Sequence, residues 1–353
     1  MTLKVTRKDD LRAGRSVDNG PAGDASSGPV KIAVDLLGGD DAPAVVVGGA
    51  LQALAVDPGL RLILVGPPDA ADAVIRALSP ADRERVELHA VSGAVTMADP
   101  PVRAASRETS IRAAAHAVAV GAADAMVSAG SSGATVTAAV LALGRSSGVR
   151  KPPLAAWLPT VRPGQETLLL DVGGSMDCTV AVLQSHAGLG TAYWSQHTGQ
   201  AHPRIGLLSV GREPGKGDRV RRAAEKAFAA TDGFVGLVEG DDVLLGDRAD
   251  VVVTDGFTGN VLLKGIEGAY RLATVGVDGA SHGMARAAVM LGVPGVVVVC
   301  HGAADEGDLA SGLAEAARLA RSRRTGRAEH TRAGQRIRAE RDVRAEQEQE
   351  GNR

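Results

Sequence analysis

The stretch Asp124–Leu143, DAMVSAGSSGATVTAAVLAL, holds the fold in miniature. It opens on a short apolar run at 124–128, passes through a small polar turn with two glycines, and continues from Ala134 to Leu143 as an Ala-rich segment with helical spacing. A run that stays apolar over a handful of residues suits a strand covered on both faces by helices. The same succession recurs on either side. KIAVD at 31–35, RLILV at 61–65, TLLLD at 167–171, RIGLLSV at 204–210, DVVVT at 250–254 and VVVVC at 296–300 read as further strands. Ile111–Val120, Arg219–Ala230 and Leu309–Arg321 read as helices. Strand and helix alternating in this way predict an α/β fold with a doubly wound, mostly parallel sheet in three α/β/α layers. No segment repeats at a fixed period.

Composition narrows the class. The chain has 353 residues, of which 44% are hydrophobic and only 2% aromatic, so the core must be built from Val, Leu, Ile and Ala. A formal charge of −2 argues against nucleic acid as a partner. Two cysteines, Cys178 and Cys300, make neither a disulfide framework nor a zinc site and read as apolar filler in a reducing cytoplasm. No apolar run reaches the roughly 18 residues of a membrane span. The first residues lack the apolar core of a signal peptide, which places the protein in the cytoplasm. Residues 1–29 read as a disordered leader, 30–320 as a single catalytic domain, and 321–353 as a charged, poorly ordered tail.

Chemistry collects where the strands end. The turns after six of them hold glycine, small polar or acidic residues: Asp35 to Asp40 with Gly38 and Gly39, Ser128 to Gly133, Asp171 to Gly174, Gly211 to Gly217, Asp255 to Asn260, and His301-Gly302. In a parallel sheet such turns share the carboxyl edge, where open α/β folds bind ligands. Glycine lets backbone N–H groups approach an anion, and the following helix N-terminus adds positive potential. Standard motifs do not fit. Gly211–Gly217 has a shorter spacing than a P-loop and lacks its Ser/Thr, no G-x-G-x-x-G opens the first βα unit, and no esterase elbow is present. What remains is a kit of N–H groups, hydroxyls, one lysine, one amide and one histidine. It suits phosphate and a developing oxyanion, without a metal or an enzyme nucleophile.

Several stretches resemble the signature segments of the PlsX family of phosphate acyltransferases. They are IAVDLLGGDDAP (32–43), ADAMVSAGSSGA (123–134), LLLDVGG (168–174), RIGLLSVGREPGKGD (204–218), the long run from Phe234 to Gly268 containing DGFTGNVLLK, and HGAAD (301–305). The resemblance covers nearly all of residues 31–320. It implies a fold related to isopropylmalate dehydrogenases and phosphotransacetylases. It also implies transfer of a fatty acyl group from acyl carrier protein to inorganic phosphate for phospholipid synthesis, without a cofactor or metal. A homodimer and a membrane glycerol-3-phosphate acyltransferase of the PlsY type are the further implied partners.

Carried onto this chain, the resemblance makes Lys216 the charged group on phosphate or oxyanion, and Asn260 the neutral donor beside it. A helix N-cap is the alternative for Asn260. Ser128, Ser131, Ser132 and the amides of Gly130 and Gly133 are the expected phosphate ligands. Gly38, Gly39, Gly173, Asp255 and Gly256 complete the substrate-binding set, with Asp35 and Asp171 orienting their loops. His301 either protonates the leaving thiolate or donates a hydrogen bond.

There are departures from the family pattern. Leu37-Gly38-Gly39 stands for Met-Gly-Gly, Ser131-Ser132-Gly133 for Asn-Thr-Gly, and Arg107–Ile111 for a basic Lys-Lys-x-Ser-Ser-Met segment. A helical hairpin is abbreviated between Glu267 and Leu291. Within Ala269–Met290 the residues Leu272, Val275, Val277, Met284, Val289 and Met290 form no long stripe, so little intrinsic membrane affinity is expected. Arg145, Arg150, Lys151, Arg219, Arg221 and Arg222 are candidates for a basic rim facing acidic carrier protein. The rival readings are a phosphotransacetylase-like enzyme using acyl-CoA and a non-catalytic acyl-binding regulator.

Overall fold

The structure is a computed structural model that describes residues 5–6, 28–96, 98–106, 108–274 and 287–325. Its elements follow the chain as β1 (Val5–Thr6), β2 (Val30–Asp35), α1 (Ala44–Val56), β3 (Leu60–Gly66), α2 (Pro68–Ala77), α3 (Pro80–Arg83), β4 (Val86–Ala90), α4 (Ser110–Ala119), β5 (Ala125–Ser128) and α5 (Ser132–Leu143). The second half adds β6 (Leu154–Pro159), β7 (Glu166–Leu170), α6 (Val180–Thr198), β8 (Ile205–Leu208), α7 (Arg219–Phe228), β9 (Phe234–Val238), α8 (Asp242–Leu245), β10 (Val251–Val253), α9 (Gly256–Ala273), β11 (Ala287–Met290) and β12 (Val296–Cys300). A last helix, α10, occupies 306–325.

All seven strands read from the apolar runs are present. Alternate residues of β2 divide between two cores, as the two-residue period of a strand requires. Val30, Ile32 and Val34 meet one layer, containing α1, α2, α6, α7 and α10, while Ala33 faces the other, with α4, α5, α8 and α9. Phe228, on α7, is one of the few large aromatic side chains buried in the first of these layers.

The sheet order is β1-β4-β3-β2-β5-β12-β11-β6-β7-β10-β8-β9. From β1 to β12 every pairing is parallel. From β7 to β9 it is parallel again. Between these blocks β11 runs antiparallel to both β12 and β6, and β6 runs antiparallel to β7. Three reversals leave the blocks pointing in opposite directions. The six ligand-type turns therefore do not share one edge, as a uniformly parallel sheet would dictate. Those after β2, β5 and β12 leave one edge, and those after β7, β8 and β10 leave the other.

Two segment boundaries also shift. Val5 and Thr6, inside the expected leader, pair with β4. The expected tail begins inside α10, where Arg321 pairs with Asp57 at 2.8 Å and Arg324 pairs with Asp124. The rest of leader and tail lies outside the described residues, apart from Gly28 and Pro29.

Candidate active site

The first block brings three turns together. Gly38 packs so closely on the turn after β5 that an added Cβ would lie 2.6 Å from the Gly130 nitrogen. The Asp40 N–H donates to the Gly302 carbonyl at 2.8 Å, tying the turn after β2 to the turn after β12. Asp35 is the strut beneath them. Its carboxylate accepts from the hydroxyls of Ser110 (2.6 Å) and Ser128 (2.8 Å), and from the Leu37 N–H (3.2 Å). Burial raises its pKa despite those bonds. Asp35 thus ties the start of its own turn to α4 and to the end of β5.

Two expected phosphate ligands are already spent. Ser128 is 1% exposed and its Oγ accepts from the Gly130 N–H at 3.0 Å, so neither group faces an open site. The donors that remain open stand one turn further on. Ser131 is the N-cap of α5 but makes no side-chain cap bond. The first backbone bond entering the helix is from Thr135 N–H to Ser131 O. The N–H groups of Ser132, Gly133 and Ala134 precede it and point out of the helix end.

The second block is bonded more completely. Asp171 Oδ1 accepts from the N–H groups of Leu154 (3.0 Å), Gly173 (3.0 Å) and Gly174 (2.7 Å), which shapes the turn after β7. Its Oδ2 is buried without a hydrogen-bond partner among the described residues, and burial raises the group's pKa. The nearby His186, fully buried with Nε2 2.9 Å from the Lys151 carbonyl, is shifted down, again by burial. Asp255 is the N-cap of α9, accepting from Thr258 N–H at 2.9 Å, and it pairs with Arg221. Gly256 donates to Ser175 O at 2.7 Å. Asp255 and Gly256, expected to bind substrate, instead build the start of this helix.

Asn260 is thus not the cap. It lies on the second turn of α9, where Nδ2 donates to Val172 O at 3.0 Å. Gly173 stands beside it with φ +134, and a Cβ there would meet Nδ2 at 3.1 Å, so only glycine allows the approach. Lys216 stands apart. Its side chain is half exposed, with Nζ 3.9 Å from Glu213.

The two blocks meet in a narrow groove of about 50 Å³ over the reversing strands. β12, β11 and β6 line it, together with Ser132 at the start of α5 and Asn260, Leu263 and Glu267 on α9. His301 also lines it, 3.3 Å from Glu267, and Val172 lies beside Asn260. Because α5 and α9 start from opposite edges, the groove receives groups from both blocks. Reasoning from the sequence missed Glu267. Its signal was spacing, since Asn260, Leu263 and Glu267 at i, i+3 and i+7 share one helix face. Beyond α9 lies a recess of about 400 Å³ lined by Leu208, Val210, Val261 and Leu262, with Gly217 and Arg221 at its polar side.

Neither thiol competes as a nucleophile. Burial, aided for Cys178 by Asp171 and for Cys300 by Asp308, pushes both up to about 12.

The fold is that of the phosphotransacylases. The phosphotransacetylase of Streptococcus pyogenes superposes with a TM-score of 0.58 at 16% identity, covering 84% of this chain and 94% of that one. A branched-chain phosphotransacylase from Enterococcus faecalis gives 0.56 at 16% identity, covering 82% and 99%. Sequence narrows the class. The profile of the fatty acid synthesis protein family matches residues 30–275. A phosphate acyltransferase of Synechococcus elongatus is 38% identical over 306 residues, covering 77% of this chain and 86% of the relative. One from Heliobacterium modesticaldum is 37% identical over 301 residues, covering 77% and 89%. The chain belongs to this family, the PlsX phosphate acyltransferases.

Proposed function

We propose that this chain moves a fatty acyl group from acyl carrier protein to inorganic phosphate, giving an acyl phosphate for phospholipid synthesis. The observation that carries the reading is the groove. Open donors at the start of α5, the Asn260 amide and His301 converge there, while both thiols are held protonated by burial. In the proposed step a phosphate oxygen attacks the thioester carbonyl carbon, the C–S bond breaks, and the thiolate leaves. Hydrogen phosphate brings the proton that the thiolate takes up, so the atoms balance without a proton stored on the protein. Holding phosphate in line supplies much of the rate. Ser131, Ser132 and the α5 amides serve as the phosphate seat, and Asn260 and His301 act on the oxyanion. Lys216, which stands apart on an exposed Gly-rich turn, would add its charge once substrate is bound.

Two further features support the donor. The apolar recess beyond α9 offers a seat for an acyl chain. Arg145, Arg150 and Lys151 stand in or beside a recess of about 550 Å³. Among the described residues Arg145 and Lys151 bond backbone carbonyls, of Arg150 and Asp177, and no carboxylate, which suits them to face an acidic carrier. Arg221 drops out of that rim because its guanidinium is spent on Asp218, Thr254, Asp255 and Thr258.

No helix among the described residues is long and apolar enough to cross a membrane. Val289 and Met290 are buried in β11, while Val275, Val277 and Met284 lie outside the described residues. A cytoplasmic protein that reaches membrane through a partner such as a PlsY-type acyltransferase, and that acts as a homodimer, completes the proposal.

The test incubates purified protein with phosphate and either acyl carrier protein or coenzyme A carrying the same acyl group, then measures acyl phosphate. Product from the carrier at a much higher kcat/KM is expected. Preference for the coenzyme A ester would favour the phosphotransacetylase-like reading, and no product from either would leave a binding role.

A further inference from the structure

Glu267 has no part in the chemistry above, yet among the described residues lining the groove it is the one carboxylate, with its side chain 10% exposed. Its Oε2 lies 3.3 Å from His301 Nε2, 3.3 Å from Lys264 Nζ and 3.9 Å from an Arg271 nitrogen. On the far side of the ring, the Ala303 N–H donates to His301 Nδ1 at 3.0 Å. A ring nitrogen that accepts a hydrogen bond carries no proton, and a backbone N–H has no other role to play. The neutral imidazole must therefore carry its hydrogen on Nε2, the nitrogen facing Glu267. Full protonation of the ring would break the bond from Ala303. The contact with Glu267 is close but not aligned as a formed hydrogen bond, and Nε2 itself is buried while the side chain, 28% exposed, lines the groove. An oxygen in the groove therefore meets this hydrogen once the ring turns slightly away from the carboxylate.

We propose that Glu267 is a positioning residue that holds His301 as a neutral donor at Nε2, and that His301 stabilises the oxyanion without giving its proton to the leaving thiolate. This rests on the acyl-transfer reading, which sets His301 on the oxyanion and takes the leaving group's proton from hydrogen phosphate. The amide bonded to Nδ1 and the negative charge 3.3 Å from Nε2 both favour this tautomer. Lys264 and Arg271, on the same helix, are the other charged groups facing the carboxylate.

The experiment compares wild type with Glu267→Gln, Glu267→Asp, His301→Ala and the double variant Glu267→Gln/His301→Ala. In ¹⁵N-imidazole NMR, the resonance missing from His301→Ala should report the Nε2–H tautomer in wild type and a mixed or altered state in Glu267→Gln. Glu267→Gln should lower kcat by about tenfold with KM for phosphate within about twofold. Glu267→Asp should recover part of that loss. In the His301→Ala background the Glu267→Gln change should cost nothing further, because a residue acting through a partner has no effect once that partner is gone. A wild-type ring protonated on Nδ1, or losses that simply add, would overturn the proposal. If wild type makes no acyl phosphate, the acyl-transfer reading fails instead, and the tautomer of the two Glu267 variants still decides the positioning role.

Discussion

The two blocks of the sheet use similar turns to opposite ends. After β2, β5 and β12 the struts are buried, Asp35 and Ser128, and they leave the first amides of α5 and the hydroxyls of Ser131 and Ser132 open. After β7 and β10 most polar atoms are bonded already: Asp171 to three amides, Asp255 to Thr258 and Arg221, Asn260 to Val172. The first arrangement can receive an anion, because unsatisfied donors at a helix start gain from one. The second mostly rigidifies a wall, and of the polar side chains on its described residues Asn260 and Glu267 on α9 reach the groove, beside Val172 and Leu263. A glycine-rich turn after a strand is thus not a binding site by composition. What counts is which of its donors the fold has left unpaired.

The largest effect expected from breaking this contrast is at Asn260. Asn260→Asp replaces the donor to Val172 O with a second oxygen and sets a negative charge where charge develops. Turnover should fall by about 100- to 1000-fold, the usual cost of one oxyanion donor. Because Asp255 and not Asn260 caps α9, the helix start itself is unaffected, and the melting temperature should change by only a few degrees. Activity retained with a carboxylate at this position would remove the second block from catalysis.

A middle-sized effect separates scaffold from site. Asp255→Asn keeps a capping side chain but leaves Arg221, 12% exposed, without its closest carboxylate. Uncompensated buried charge costs about 3–5 kcal/mol. Asp218 still holds the other side of the guanidinium, so about 2 kcal/mol and a melting temperature lower by roughly 5 °C are expected. Burial opposes ionisation of Asp255, but the bonds from Thr258 and Arg221 override it and hold the group below its ordinary value of 3.8. A depressed carboxyl stabilises the fold above that value and loses the contribution as pH falls through the lower folded one. The gap between variant and wild type should therefore be full at neutral pH and shrink below about 3.8. Melting curves across that range check both size and sign.

The smallest effect sharpens the comparison from the other side. Ser132→Ala removes one neutral hydroxyl from the open seat at the start of α5. A single such bond contributes about 1 kcal/mol, so KM for phosphate should rise by about three- to tenfold with the melting temperature unchanged. No change in KM would move the phosphate seat away from α5.

Much of this was legible in the sequence because it is local. The apolar runs, their two-residue and 3.6-residue periods and the glycine turns specify strands, helices and layers through contacts between near neighbours. Family membership was legible from the turns themselves. The sense of the strands was not. β6 is Leu-Ala-Ala-Trp-Leu-Pro after two prolines, and β11 is Ala-Ala-Val-Met. Neither looks like a buried strand, yet these are the two that reverse the sheet. Direction belongs to hydrogen bonds between segments far apart in the chain, such as Val289 with Ala155, and no local period encodes it. For the same reason the sequence could nominate Ser128, Asp255, Asn260 and His301 as polar residues at strand ends. Only the tertiary structure decided that Ser128 and Asp255 are consumed by their own loops, that Asn260 spans to Val172, and that Glu267 faces His301. Whether a donor is free depends on what lies within about 3 Å of it, and that is settled when the two blocks close on one groove.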